Sequence, residues 1–332
     1  VNTDYGAVLP VSTDTALKNA LANVRGGGTV LLTDDIVSSA GTVQIHSVNA
    51  DRDFTLDING HNLVGEVWII SKDSKGTYNN LKVTITDSSA VEGEVGAGTI
   101  GSVAENMYGI IPQGVENLEV TLKNIHVVGE WALYTNGTYA GAVINAEHCK
   151  FETIDNDQGI CAYLASDHTV TFKDCEFNGL VGAYIKSGST VFDNCTLYGF
   201  GDYSAPSYNG NGADGSGSAL VVDSTVGYQL PFSVTVNGGT LKSDHGYAIE
   251  EVSNAKQGVD KQCGATVTVN GTELIGALGE VYSENGVVTI NTDNGAVMPV
   301  STETALKKAL ANVSIGGTVV LTNDIAPENG QV

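Results

Sequence analysis

One short pattern returns along most of the chain and leaves few folds open to it. It reads Val120-Thr-Leu-Lys-Asn-Ile125, then Val143-Ile-Asn-Ala-Glu-His-Cys-Lys-Phe151, then Val170-Thr-Phe-Lys-Asp-Cys-Glu-Phe177. It continues as Val191-Phe-Asp-Asn-Cys-Thr-Leu197, Val234-Thr-Val-Asn-Gly-Gly-Thr-Leu241 and Val267-Thr-Val-Asn-Gly-Thr-Glu-Leu274. Each copy alternates apolar and polar residues, bends at Asn, Asp or Gly, and enters another short apolar stretch. Alternation of period two is the mark of a strand with one buried face. A second strand precedes several copies, as in Gly182-Ala-Tyr-Ile-Lys186 and Gly246-Tyr-Ala-Ile-Glu250. Units of roughly 20 to 35 residues cannot bury such faces alone and do so by stacking on their neighbours. The expected fold is all-β: a parallel β-helix, or β-solenoid, with right-handed crossovers. About a dozen coils at about 4.8 Å per coil would span roughly 55–60 Å.

A second, much longer period overlies this one. Residues 2–36 and residues 291–325 agree at 27 of 35 positions, without a gap and at a fixed offset of 289. The simplest division is a β-helix module at 1–289, followed at 290–332 by the start of another. A duplication confined to this segment is the alternative. Each copy contains one helix, over about 13–24 and again over about 302–313, judged by cap and periodicity. Ser12 or Thr13 supplies the N-cap, Asp14 lies in the first turn, and Ala16, Leu17, Ala20, Leu21 and Val24 share one face. Gly26, Gly27 and Gly28 end the helix. An open solenoid end exposes unpaired strand edges, and an amphipathic helix is suited to cover one. Leu17, Leu21 and Val24, with Leu306, Leu310 and Val313, are therefore the expected contacts at module junctions.

Composition narrows the function. The 332 residues carry 38 acidic side chains against 15 Lys and Arg, a net charge of −23, and Arg25 and Arg52 are the two arginines. Phosphate neutralisation needs clustered cations, so a nucleic-acid partner is excluded. No apolar run approaches the ~18 residues of a membrane span, so no insertion is expected. The 41 glycines and only 16% charged residues fit a chain with many bends and stacked faces.

The five cysteines form no CxxC pair, which gives a zinc site little support. Cys149, Cys175 and Cys195 take the same place in successive motifs, either as a ladder of buried thiols or as a disulfide between adjacent coils. Asn124, Asp174, Asn194, Asn237 and Asn270 stand near the bends, where such side chains satisfy turn amides.

Two binding features stand apart from this framework. Tyr163 and Tyr184 occupy equivalent places in neighbouring coils, and alternation sends both outward if Leu164 and Ile185 point inward. Trp131, Tyr134 and Tyr139 extend the same surface, an aromatic platform on which a sugar ring stacks. Tyr198, Tyr203 and Tyr208 lead into an insertion whose Gly210-x-Gly212-x-Asp214 partly matches a calcium-binding solenoid repeat. Asp202 and Asp214 are the residues that would hold calcium there; no other cofactor is indicated.

Three stretches carry a resemblance: Gly27-Gly-Thr-Val-Leu-Leu-Thr-Asp-Asp-Ile36, Phe54-Thr-Leu-Asp-Ile-Asn-Gly-His-Asn-Leu63 and Leu81-Lys-Val-Thr-Ile-Thr-Asp-Ser-Ser89. They resemble the opening coils of pectate-lyase-like β-helix modules, common in large secreted or wall-anchored surface proteins of Gram-positive bacteria. The resemblance implies an extracellular protein at the bacterial cell surface, built of tandem modules and acting as an adhesin or stalk. Its partners would be neighbouring copies of the module, covalent or head-to-tail, and surface or host glycans.

The same fold hosts polysaccharide lyases and hydrolases, and the residues answer that possibility poorly. Arg25 is Ser314 in the second copy, Arg52 lies between two acids, and no basic cluster marks a cleft for an acidic polymer. A surface at −23 also repels pectin-like substrates. Asn2-Thr3-Asp4 and His245-Gly246 echo the hydrolases, but no Arg-x-Lys follows. No catalytic residue is assigned. The expected function is a structural repeat module that stacks as a stiff rod and presents loops to glycans, with a polysaccharide-active enzyme as the alternative.

Overall fold

The computed structural model describes residues 5–46, 51–71, 80–102, 107–113, 117–153, 159–206, 208–209, 212–213, 217–224, 231–252 and 264–327. Among the described residues all but two short strands join in one sheet, parallel except near its C-terminal end, that winds as a β-solenoid with three faces. Among the described residues one face runs through eleven strands, from Val8–Val11, Gly28–Leu32 and Arg52–Asp57 to Ala265–Asn270 and Val288–Thr292. Ten steps at about 4.8 Å make this face about 48 Å long. That is shorter than the dozen coils expected, because several coils carry insertions between their strands.

Alternation drives the stacking. Val30, Leu56, Ile85, Leu122, Ala146, Phe172, Phe192, Val236 and Val269 occupy one register position in successive strands, and all are buried. Phe151, Phe172, Phe177 and Phe192 meet inside in stacked and edge-to-face pairs 4.9–5.7 Å apart. The bends repeat as faithfully. Asn124, His148, Asp174 and Asn194 adopt φ between 51° and 57°, and Gly238 takes the place at 62°. Asn and Asp tolerate this left-handed conformation better than other residues with a Cβ.

The expected row of bend amides divides in two. Asp193 pairs with Asn237, so Asn237 stands one residue before the bend that Asn194 occupies. Asn237, Asn270 and Asn291 hydrogen-bond side chain to side chain at 2.8 Å along the stack. Cys149, Cys175 and Cys195 follow the bends as buried free thiols, as does Cys161 elsewhere in the coil; Cys263 lies outside the described residues. In the row of three, each Sγ donates to the carbonyl two residues earlier at 3.3–3.5 Å. Burial pushes the Cys161 and Cys175 thiols far up, and contact with Cys175 does so for Cys195.

Helix α1 (Asp14–Asn23) covers the first coil. Thr13 caps it by accepting from the Ala16 amide at 3.2 Å, and Asp14 pairs with Lys18 at 2.8 Å. Leu17, Leu21 and Val24 are buried beneath it. Arg52, flanked by Asp51 and Asp53, begins a strand. Its guanidinium donates to the carbonyls of Leu21 and His46 and lies 4.7 Å from the centre of the Phe54 ring. Burial lowers its pKa to about 10. Arg52 thus ties the last turn of α1 to the second coil.

At the other end the ladder reverses. Val288–Thr292 pairs antiparallel with Gly295–Val300, and helix α2 (Glu303–Asn312) and strand Thr318–Leu321 follow. Leu306 and Val313 are half-buried here and Leu310 is exposed. The six residues expected at junctions are therefore not equivalent: three are buried within their own module.

Candidate functional site

The outer side of a second face carries the aromatic residues. Tyr134, Tyr163, Tyr184, Val221, Glu250 and Tyr282 align across six successive strands. The preceding position on each strand belongs to the core, as Leu133, Ala162, Ala183, Leu220, Ile249 and Val281 show, so this row faces away from it. It builds a second apolar layer around Ile160, Val181, Tyr184, Val221 and Val252, packed with Trp131, Tyr163 and Tyr282.

The rings meet in order. Tyr108 stacks on Tyr134 at 4.6 Å between centroids and Trp131 on Tyr134 at 5.0 Å. Tyr163 stacks on Trp131 at 5.6 Å and on Tyr134 at 5.5 Å, and Tyr184 follows at 5.7 Å. The predicted platform residues Trp131, Tyr134, Tyr163 and Tyr184 are thus brought together, with Tyr108 joining them. Their exposure differs. Tyr108, Trp131, Tyr134 and Tyr163 are half-exposed, whereas Tyr184 is buried. Outward alternation held for Tyr184, but protein covers its ring, so it supports the platform rather than forming it. The side chain of Tyr139 lies outside the described residues.

Beyond Tyr184 the row turns polar. Lys186 and Asp223 are both buried and lie 3.4 Å apart, Nζ to Oδ2. Nζ also donates to the Tyr163 hydroxyl at 3.3 Å and sits 5.5 Å and 5.3 Å from the Tyr163 and Tyr184 ring centres. Tyr184 donates to Asp223 at 3.3 Å; burial and the Asp223 charge hold its phenol far above the ordinary value. One strand further, Glu250 accepts from Ser218 at 2.7 Å and from Tyr203 at 3.1 Å. Burial also raises Tyr203, and Tyr282 is pushed up to about 12. The raised phenols of Tyr184, Tyr203 and Tyr282 stay protonated near neutrality, and their contacts lock the aromatic row.

Sequence reading missed Lys186, Asp223 and Glu250. The signal was present in two of them: Lys186 follows the strand of Tyr184 on the same side, and Glu250 lies within the strand Tyr247–Val252 in the tyrosine row. Reading it required knowing which strands stack, since Lys186 and Asp223 are separated by a whole coil with its insertion.

Of the pair expected to hold calcium, only Asp202 lies among the described residues. Asp202 points its carboxylate fully into solvent, 3.9 Å from His245, and Asp214 lies outside the described residues. Tyr208–Asn209 and Gly212–Ala213 form a short antiparallel hairpin within this insertion. Among the described residues no three His, Cys, Asp or Glu side chains gather to hold a metal. Beside α1, a cavity of about 350 Å³ is lined by Lys18, Leu21, Thr42, Gln44, His46 and Arg52, away from the aromatic row.

No protein-family model matches the chain, and no curated protein matches it. A solved structure described as "L. reuters 100-23 SRRP", a serine-rich repeat protein of Lactobacillus reuteri, is similar in fold. Its TM-score is 0.52 at 16% sequence identity, covering 98% of each chain.

Proposed function

We propose that this chain is a structural module of an extracellular surface protein, repeated along a stiff rod, whose outer aromatic face binds glycans. The observation that carries the reading is the half-exposed stack of Tyr108, Trp131, Tyr134 and Tyr163 on a rigid sheet. Stacked rings a coil apart present flat apolar surfaces at fixed spacing, which suits the apolar face of a sugar chain and resists deformation on binding. The buried Lys186–Asp223 pair beneath them supplies rigidity at the edge of the platform. Similarity in fold to a serine-rich repeat protein supports a place at a cell surface, and the acidic exterior suits neutral or basic glycans better than polyuronates.

A glycan array tests the reading. Wild-type protein is expected to retain a subset of neutral oligosaccharides, and Trp131→Ala and Tyr134→Ala each to weaken retention at least ~10-fold, the loss of one aromatic contact. Retention unchanged in both variants would remove the platform from the proposal. Release of unsaturated or reducing ends from a polysaccharide would replace adhesion by the enzymatic alternative.

A further inference from the structure

The two copies of the β–α–β cap share one local structure and have opposite surroundings. Val8–Val11 pairs parallel with the strand at 28–32 as Gly295–Val300 pairs with Thr318–Leu321, and the paired residues are displaced by the same 289 positions. Thr13 and Thr302 cap the two helices alike. Yet Leu21 is 2% exposed and its counterpart Leu310 56%; Leu32 is 0% exposed and its counterpart Leu321 57%.

In the first copy those side chains are covered by the coil that follows. The strand Arg52–Asp57 pairs with Gly28–Leu32, and Arg52 holds the Leu21 carbonyl. The second copy turns a different side to its own solenoid. Ser301 exchanges hydrogen bonds with Ser283, the Thr302 hydroxyl donates to the Glu284 carbonyl at 2.6 Å, and Ala305 packs on Gly286. This seat is polar: buried Glu251 closes it, accepting from Ser283 and from both nitrogens of Asn285. The corresponding Ser12 and Thr13 of the first copy are exposed. Val11 and Ala20 are buried in both copies, as Val300 and Ala309, but around them each copy buries a side that the other leaves open, as two ends of a repeating joint would.

The residues preserved between the copies agree. Leu17, Leu21, Val24, Val30, Leu32 and Ile36 of the first copy recur unchanged as Leu306, Leu310, Val313, Val319, Leu321 and Ile325. Of the eight differing positions only Leu9, which is Met298, is buried in the first copy. The second cap therefore keeps the complete set of side chains that fit a coil.

We infer that the apolar side of α2 and Thr318–Leu321 is the seat of another coil like residues 36–57, belonging to a further unit in the same polypeptide. A coil in a separate molecule is a poor occupant, because that molecule's own first cap already covers it and would be exposed by the exchange. The inference rests on the repeating-module reading, but it concerns the joint itself.

The test uses the 332-residue chain and the same chain extended at its C-terminus by its own residues 44–332, compared by hydrogen exchange. In the shorter chain, amides of 306–321 are expected to exchange at least ~100-fold faster than those of 17–32, because opening there breaks few buried contacts. In the extended chain the two segments should become equally slow, and Leu310→Asp should restore fast exchange at 306–321. Fast exchange in the extended chain with its appended coils otherwise protected would overturn the joint. Protection in the shorter chain that rises with protein concentration would overturn it in favour of a second molecule. The mass of the native polypeptide tests the repeating-module reading separately, since the joint is read in a chain that contains two units by design.

Discussion

The buried pair of Lys186 and Asp223 gives the sharpest energetic test of the outer layer. Its charges lie 3.4 Å apart, and both side chains are almost wholly removed from solvent. At an effective dielectric near 20, two unit charges at that distance attract by about 5 kcal/mol. Desolvation offsets much of this, so the pair as a whole adds little net stability. Removing one partner is different, because the other charge then stays buried without its counterion, at a cost of about 3–5 kcal/mol. Lys186→Met and Asp223→Leu should each lose stability of that size. The double variant should lose much less than their sum, with a coupling of at least ~2 kcal/mol. Urea unfolding followed by tryptophan fluorescence measures this, in a Trp68→Phe background where Trp131 reports from beside Tyr163. An unchanged m-value would show that the same cooperative unit is being read. Single variants costing under ~1 kcal/mol, the value of an exposed pair, would refute the reasoning. So would strict additivity.

Two further outcomes follow from other residues. His168 is buried, accepts the Ala142 amide at Nδ1 at 3.3 Å, and is held by burial at a pKa of about 4, below the ordinary 6.5. The unfolded chain therefore binds this proton first, and up to about 3 kcal/mol of stability present above pH 6.5 is lost as pH falls toward 4. His168→Gln should flatten that part of a stability–pH curve measured by urea midpoints; an unaltered slope would contradict it. Gly239 has φ of 68°, and a Cβ there would stand 2.0 Å from the Cys195 carbonyl oxygen. Gly239→Ala should lower stability by more than about 1 kcal/mol and reduce the melting temperature by several degrees.

Much of the fold was legible because its causes are local and repeated. Alternation at Val170, Phe172 and their equivalents places one side of each strand inward, and a bend residue tolerant of positive φ recurs once per coil. The thiol row at Cys149, Cys175 and Cys195 could be read from the same register. The coil count was less legible, since an insertion such as 201–217 lengthens a coil without adding a rung. The candidate site was half legible. Outward placement of Tyr163 and Tyr184 followed from alternation, but Trp131 shares the side of Tyr134 only because Ala132 and Leu133 both turn to the core, and the cover over Tyr184 and the pairing of Lys186 with Asp223 join residues far apart in the chain.

By itself the sequence determined the strand pattern, the bends, the cap helices and the 289-residue period, because each depends on neighbours a few residues away or on direct repetition. Only the tertiary structure decided the environment of each repeated element. Leu21 and Leu310 occupy the same place in nearly the same segment, yet one is in a core and the other in water. The physical reason is that burial is a property of what stacks above a residue, and for two nearly identical caps that differs.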